Sequence, residues 1–317
     1  MLYGVGSVRR LSEYPLLRWV TSGAIGAGLV AVVYGLSDAP LAALWLELEE
    51  PGVFLASLLL LLGAFGLRLV VWKIVLDGVN GRTPWTMAVE SRYRPILAKY
   101  APGKVWGVLS VAGCLERHGV QRGRALAVTG WFQLQQIVSG LTVGVIGAGV
   151  LGAGALDGGL PLGVLWAGAA GLCVVVVMAE RIVHCLGRRS GRVDPEIRVG
   201  ISRAAIAVGL SAVAWLIMGM AYWQFAWAYG LGMSIEFIAL LPLANVIGML
   251  SVVTPGGIGV RESAITALMI GCGAPSAAAA PAAIWSRVWF MIAELIIFAV
   301  GLHAGSRTAP GRAATGR

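Results

Sequence analysis

The sequence contains few charged residues for its length. Only 12% of the 317 residues are Asp, Glu, Lys or Arg, and 58% are hydrophobic, whereas soluble domains carry about 25% charged residues. Apolar runs recur from Trp19 to Leu302, and no polar stretch between them is long enough to form a separate soluble domain. The composition therefore indicates a single polytopic membrane domain of the all-α class.

Residues that commonly carry enzymatic chemistry are also scarce. The four cysteines and three histidines have no paired spacing, which excludes a recognisable disulfide framework or zinc motif. No Ser-His-Asp set, catalytic carboxylate pair or ATP-binding motif occurs, and the Gly-Gly-Ile-Gly run lacks the strand that a dinucleotide fingerprint requires. We therefore predict no metal, no cofactor and no enzymatic activity.

Positive charge is present but unevenly distributed. The net charge is +9, yet the basic residues lie in short loops between apolar runs, which is typical of membrane topology signals and not of nucleic-acid binding. The predicted external loops contain acidic residues and no basic ones. This pattern predicts a multi-pass protein of the bacterial plasma membrane with both termini in the cytoplasm. The basic residues outside the predicted cytoplasmic segments are Arg68, Lys99, Lys104, Arg261 and Arg287.

Six apolar segments are long enough to cross a bilayer, which needs about 20 residues. They are predicted to lie between a cytoplasmic tail, 1–18, and a second tail, 303–317, that is predicted to be disordered. The predicted spans are 19–36, 53–71, 125–151, 161–179, 204–229 and 282–302.

Two further segments are interrupted by helix-breaking residues. In the first, 85–100 is amphipathic, a Pro-Gly pair follows, and 105–115 is apolar with basic residues on both flanks. Two full crossings would need about 40 apolar residues, so we predict a re-entrant hairpin from the cytoplasm. The second, 237–272, is predicted to enter from outside. The predicted breakers are Pro102, Gly103, Pro255, Gly256, Gly257 and Gly259.

The order span, span, hairpin, span occurs twice. Pro102 and Pro255 are 153 positions apart, and the first unit starts inside whereas the second starts outside. We therefore predict two inverted-topology halves, 19–151 and 161–302. Inverted halves with discontinuous helices place a transporter's binding site near the midplane between them.

Arg261 and Glu262 follow the second break, where a new helix is expected to begin. The free N–H groups and partial positive charge of a helix N-terminus, together with an arginine, form an anion site suited to phosphate. The alternative is that Arg261 and Glu262 only pair with each other and cap the helix.

Charged residues elsewhere fit the same site. Lys104 lies at the first break with Lys99 one turn before it, and Arg287 and Glu294 are seven apart on the last helix, hence on one face. We predict that all four face the binding cavity. The alternatives are that the lysines snorkel to headgroups and that Arg287 and Glu294 form a buried ion pair with Glu262 or with each other.

Other polar and small residues are predicted to serve packing. Gln133, Gln135 and Gln136 are expected to hydrogen-bond between helices, and the glycines of 140–171 to allow close helix contact. Arg68 is expected to reach the cytoplasmic end or to face inward.

The motifs Thr254-Pro-Gly-Gly-Ile-Gly-Val-Arg-Glu262 and Lys99-Tyr-Ala-Pro-Gly-Lys-Val-Trp106 resemble those of the flippase-like transmembrane region of the lysylphosphatidylglycerol synthetases, the multiple peptide resistance factors. The resemblance covers about 19–302. It implies a protein that moves a phosphate-bearing lipid, such as a phospholipid, an aminoacyl-phospholipid or a polyprenyl-linked phosphate, between leaflets. Because the chain stops soon after Leu302, where the synthetases continue into a soluble transferase domain, the resemblance does not imply aminoacylation of lipid.

The leading hypothesis is therefore a lipid translocator with a charged midplane cavity. The alternatives are a membrane enzyme, for which Glu262 is the only candidate base, and an accessory subunit of a lipid-modifying enzyme. The predicted partners are the lipid substrate and the membrane, and not nucleic acid. A homo-oligomer or a complex with a lipid-modifying enzyme is left open.

Overall fold

The fold is described by a computed structural model that covers residues 48–100, 105–150, 199–251, 257 and 259–308. Throughout these ranges the regular structure is helical and no strand occurs, which confirms the predicted all-α class. The helices are α1 (Pro51–Asn80), α2 (Trp85–Tyr93), a 3₁₀ helix (Ile96–Tyr100), α3 (Val105–Arg117), α4 (Arg122–Val150), α5 (Ile201–Trp227), α6 (Phe237–Leu250), α7 (Val260–Gly271) and α8 (Ser276–Thr308).

Three of these helices, α1, α5 and α8, are long and apolar enough to cross a membrane. They contain most or all of the predicted spans 53–71, 204–229 and 282–302. Helix α4 covers the predicted span 125–151 and has 29 residues, but its three glutamines make its middle less apolar. The predicted spans 19–36 and 161–179, and the predicted tails, lie outside the described residues apart from the start of the second tail.

The core consists of two clusters of buried apolar side chains, and α1 and α5, which contact each other most extensively, contribute to both. Large aromatic residues fill it, and Trp72, Trp215, Tyr222 and Phe225 are almost fully buried. The opposite side of α5 carries exposed apolar side chains, as expected for a helix that faces lipid. These exposed residues are Ile206, Val213, Leu216, Met220 and Trp227.

Small residues allow α4, α5 and α6 to pack closely. A Cβ at Gly147 would lie 2.1 Å from Ala239 Cβ, and one at Gly219 would lie 1.9 Å from the carbonyl oxygen of Ile238. Gln135 donates to the Ala207 carbonyl at 3.0 Å, so a predicted interhelical hydrogen bond is observed. Gln136 likewise reaches the Ser211 hydroxyl at 3.0 Å, whereas Gln133 is exposed.

The segment after α1 is more broken than the sequence predicts. Residues 85–100 form two short helices instead of one amphipathic leg, with α2 ending at Tyr93 and the 3₁₀ helix beginning at Ile96. Pro95 explains the interruption, because it has no N–H to continue the helical hydrogen-bond ladder. Helix α3 then packs against both pieces. The predicted breakers Pro102 and Gly103 lie outside the described residues.

Helices α6 and α7 form a helical hairpin. Their outer ends are joined, because the Ser234 N–H donates to the Cys272 carbonyl at 2.8 Å. At the turn, Gly257 and Gly259 adopt φ values of 71° and 84°, which glycine accepts without strain. A Cβ at Gly257 would lie 2.5 Å from the carbonyl oxygen of Gly248, so only glycine fits where the two legs meet. Pro255 and Gly256 lie outside the described residues.

The helix contacts have a paired pattern. Helix α4 packs on α6 as α8 packs on α2, and α3 packs on α4 as α7 packs on α8. Helix α1 likewise packs on α2 as α5 packs on α6, and α1 and α5 pack on each other. Exchanging the helices α1 to α4 for α5 to α8 therefore maps these contacts onto one another.

Candidate functional site

Five of the charged residues predicted from the sequence lie close together where α7, α8 and the 3₁₀ helix meet. We call them the charged cluster: Lys99, Arg261, Glu262, Arg287 and Glu294. The sixth, Lys104, lies outside the described residues.

The N-terminus of α7 positions the first two members of the cluster. Helix α7 begins at Val260, so Arg261 and Glu262 lie in its first turn. Glu262 Oε2 accepts a hydrogen bond from the Gly259 N–H at 2.8 Å, and its charge is favourable at the positive end of the helix dipole. The helix-capping role of Glu262 is therefore observed.

Arg261 is buried, with 5% of its surface exposed, and two of its three nitrogens have partners. Nε donates to Asn245 Oδ1 at 3.0 Å and Nη1 donates to Glu262 Oε1 at 3.1 Å. Nη2 is buried and has no hydrogen-bond partner among the described residues. The expected local pair with Glu262 therefore forms but leaves a donor of Arg261 unused.

Arg287 links the α7 terminus to the first half of the chain. Its Nε lies 3.4 Å from Glu262 Oε1, and its guanidinium carbon lies 5.7 Å from the centre of the Tyr100 ring. Tyr100 is the last residue of the 3₁₀ helix. The buried ion pair considered for Arg287 is thus the one with Glu262.

Glu294 is fully buried on α8, and its partners come from the 3₁₀ helix. Oε1 forms an ion pair with Lys99 Nζ, and Oε2 accepts a hydrogen bond from the Tyr100 hydroxyl at 2.8 Å. The Lys99 side chain is 40% exposed, so the charged cluster is open to its surroundings there. Lys99 thus pairs with a residue 195 positions away in the sequence. The alternative that it only snorkels to headgroups does not account for this contact.

Aromatic rings complete the surroundings of the cations. The centre of the Phe290 ring lies 5.3 Å from the Arg261 guanidinium carbon and 5.7 Å from Lys99 Nζ. These distances are within the range of cation–π attraction, which is strongest in desolvated sites. One ring thus contacts a cation from each half of the chain.

Three contributors to the site have no role in the sequence prediction. Tyr100 is part of the first motif, but only the structure shows that it contacts Glu294. Asn245 is the only polar side chain in the apolar sequence of α6, and this isolation is a signal that could have identified it. Phe290 carries no comparable signal.

The formal charge of the cluster is positive. Lys99, Arg261 and Arg287 contribute three positive charges and Glu262 and Glu294 two negative ones, which leaves +1. Every pair contains one cation and one carboxylate, so the excess charge is shared across the network. A buried site of this composition can bind one additional anionic group, with Arg261 Nη2 as an available donor.

Comparison with known families gives one match over most of the chain. The family model described as the lysylphosphatidylglycerol synthase TM region matches residues 19–301. These residues include every member of the charged cluster. Searches of curated proteins and of solved structures give no match.

Proposed function

The chain belongs to the family of the lysylphosphatidylglycerol synthase TM region, and we propose that it translocates a phosphate-bearing lipid between the two leaflets of the membrane. Family membership and the apolar helices fit a lipid-related membrane protein. Translocation is the function that the charged cluster supports best.

The observation that carries the proposal is the unused donor of Arg261 inside a positively charged, buried cluster. An unpartnered buried polar atom is costly, and it is tolerated when a ligand can satisfy it. A phosphate monoanion would accept a hydrogen bond from Nη2 and neutralise the formal charge of +1. The N-terminus of α7 would add its dipole.

The position of the cluster fits a lipid headgroup site. Arg287 and Glu294 lie in the middle part of α8, a helix that can cross the membrane. Charged residues at such depth usually face a cavity or each other and mark a substrate pathway. The acyl chains would remain in the surrounding lipid while the headgroup entered from the exposed side at Lys99.

The paired helix contacts support an inverted-repeat arrangement. We propose that α2, the 3₁₀ helix and α3 form a re-entrant hairpin from the cytoplasm and that α6 and α7 form its counterpart from outside. The cluster would then lie where the two hairpins approach each other. Both termini would be cytoplasmic in a bacterial plasma membrane.

A reconstitution experiment tests the proposed function. Purified protein in liposomes should expose a fluorescently labelled anionic phospholipid to an impermeant quencher faster than protein-free liposomes do. Arg261→Gln should reduce the rate to that of protein-free liposomes, because it removes the unused donor and the excess charge. Arg203→Gln, which alters an exposed arginine on α5, is the matched control.

The outcome also separates the alternatives. Equal rates for wild type and Arg261→Gln would overturn the role of Arg261. A new lipid species in the mass spectrum after incubation would instead support a membrane enzyme. An accessory subunit would be supported if neutralising the charged cluster left both the activity of a lipid-modifying enzyme and its binding to this protein unchanged.

A further inference from the structure

A second group of polar side chains lies away from the charged cluster, between α2 and the C-terminal end of α3. Glu90 is on α2, Cys114 is on α3, and His118 directly follows the end of α3. Each offers a ligand atom, and these atoms all lie within 4.8 Å of one another. Although the sequence spacing predicts no metal site, we propose that this donor triad binds a divalent transition metal ion of the zinc type.

The chemistry of the three donors is selective. Zinc accepts Cys sulfur, His nitrogen and carboxylate oxygen together, whereas calcium and magnesium prefer oxygen ligands alone. Cys114 lies in the last turn of α3 and His118 directly follows the helix, so both donors lie at its C-terminal end. Three protein ligands with a fourth position for water are a frequent zinc arrangement.

Burial of the triad is graded. Cys114 is fully buried and Glu90 is 4% exposed, while 20% of the His118 side chain is exposed. His118 also lines an open cavity of about 400 Å³ together with Thr83 and Gln121. An ion and its water ligand can therefore enter from the His118 side.

The existing contacts are compatible with metal binding. Glu90 Oε2 and His118 Nε2 are 2.9 Å apart, whereas two ligands on a tetrahedral zinc ion are separated by about 3.3 Å. A small opening would replace this hydrogen bond by two metal bonds. The Cys114 thiol would lose its proton to solvent when the thiolate binds the ion.

The other oxygen of Glu90 already has an orienting partner. Oε1 accepts a hydrogen bond from Arg94 Nη1 at 2.8 Å, and Gly305 of α8 lies against both groups. Metal-bound carboxylates commonly have such an outer partner, which fixes their orientation. Arg94 would keep this role with the ion in place.

A metal ion here would connect α2 to α3. These helices flank Lys99 and Tyr100, the two members of the first half that contact Glu294. The ion would thereby fix the relative position of the two legs that hold those residues. This inference concerns a separate group of residues and does not depend on lipid translocation.

Cobalt binding tests the site directly. The protein is purified with a tag that contains no histidine, in a Cys173→Ser/Cys185→Ser background, so that Cys114 and Cys272 are the only thiols. We expect one Co²⁺ per chain and a sulfur-to-cobalt charge-transfer band that added Zn²⁺ abolishes. Cys114→Ser should remove the band, and Cys272→Ser, at a buried free thiol on the other hairpin, should retain it.

His118→Gln provides a second variant in case Cys114→Ser does not fold, because His118 is partly exposed. Its affinity for Co²⁺ should fall at least about tenfold, since even outer partners of a metal ligand contribute that much. A background protein without the band, a band that survives Cys114→Ser, or unchanged affinity in His118→Gln would each overturn the site. The triad would then be only an ion-pair network of Glu90 with His118 and Arg94.

Discussion

Arg287 Nε lies 3.4 Å from Glu262 Oε1, which connects the last helix to the N-terminus of α7. The same guanidinium lies over the Tyr100 ring, so a single side chain contacts both halves of the chain. Glu294 lies about two turns further along α8 and extends this connection to Lys99 and Tyr100. The two motifs that are separate in the sequence therefore share one charged network.

Replacing Asn245 by Asp should separate stability from function. The new carboxylate would still accept from Arg261 Nε, so the melting temperature in detergent should not fall. It would also cancel the excess positive charge, and translocation of the labelled anionic lipid should drop at least tenfold, about 1.4 kcal/mol. Asn245→Leu should instead destabilise the protein by about 1–3 kcal/mol, because it leaves Nε unpaired. Wild-type translocation by Asn245→Asp would contradict the anion site.

Glu294 and Lys99 should be energetically coupled. Removing the carboxylate with Glu294→Gln leaves Lys99 without its ion-pair partner, and Lys99→Met leaves a fully buried carboxylate. A double-mutant cycle of unfolding free energies in detergent should give a coupling of about 0.5–3 kcal/mol. Glu116→Gln, at a glutamate whose side chain is 39% exposed, should change stability by less than about 0.5 kcal/mol. A cycle that closes to zero would show that the pair is not formed.

Gly219 should not tolerate a side chain. A Cβ there would lie 1.9 Å from the Ile238 carbonyl oxygen, which is backbone and cannot rotate away, so Gly219→Ala should cost at least about 1–3 kcal/mol. Gly209→Ala is the control on the same helix, because nothing lies within 4 Å of its Cβ. Gly209→Ala should leave stability unchanged or raise it by up to about 1 kcal/mol. Similar melting temperatures for both variants would contradict the close contact of α5 with α6.

The proposed orientation of the two hairpins can be measured with single cysteines. In a background without cysteine, Ser234→Cys should react with an impermeant maleimide on intact cells, and Gln121→Cys only after permeabilisation. Both residues are exposed, so labelling reports the side of the membrane and not burial. Labelling of both from the same side would rule out the inverted arrangement.

The sequence predicts the long helices well because hydropathy is a local property. α1, α5 and α8 each follow from a run of apolar residues, and α7 begins after the glycines at 257 and 259 as expected. The sequence does not predict the break at Pro95, because the Pro-Gly pair at 102 and 103 is the stronger helix-breaking signal nearby.

The site is predictable in membership but not in pairing. Five of its charged residues are predicted from the sequence, because a charged side chain in an apolar helix is costly and usually marks an ion pair or a functional site. Which cation meets which carboxylate depends on contacts between residues as distant as Lys99 and Glu294, and no local pattern encodes them. Tyr100 and Phe290 are common membrane residues in such helices, so their role requires the assembled fold.

The α6–α7 hairpin and the α2–α3 pair are each joined at one end by a different kind of contact. The hairpin uses backbone atoms, the Ser234 N–H and the Cys272 carbonyl, so any residue except proline at 234 preserves the bond. The α2–α3 pair uses the side chains of Glu90 and His118, which a single codon change can remove. This contact between α2 and α3 is therefore the more vulnerable to mutation, and residue 234 can vary without loss of the backbone bond.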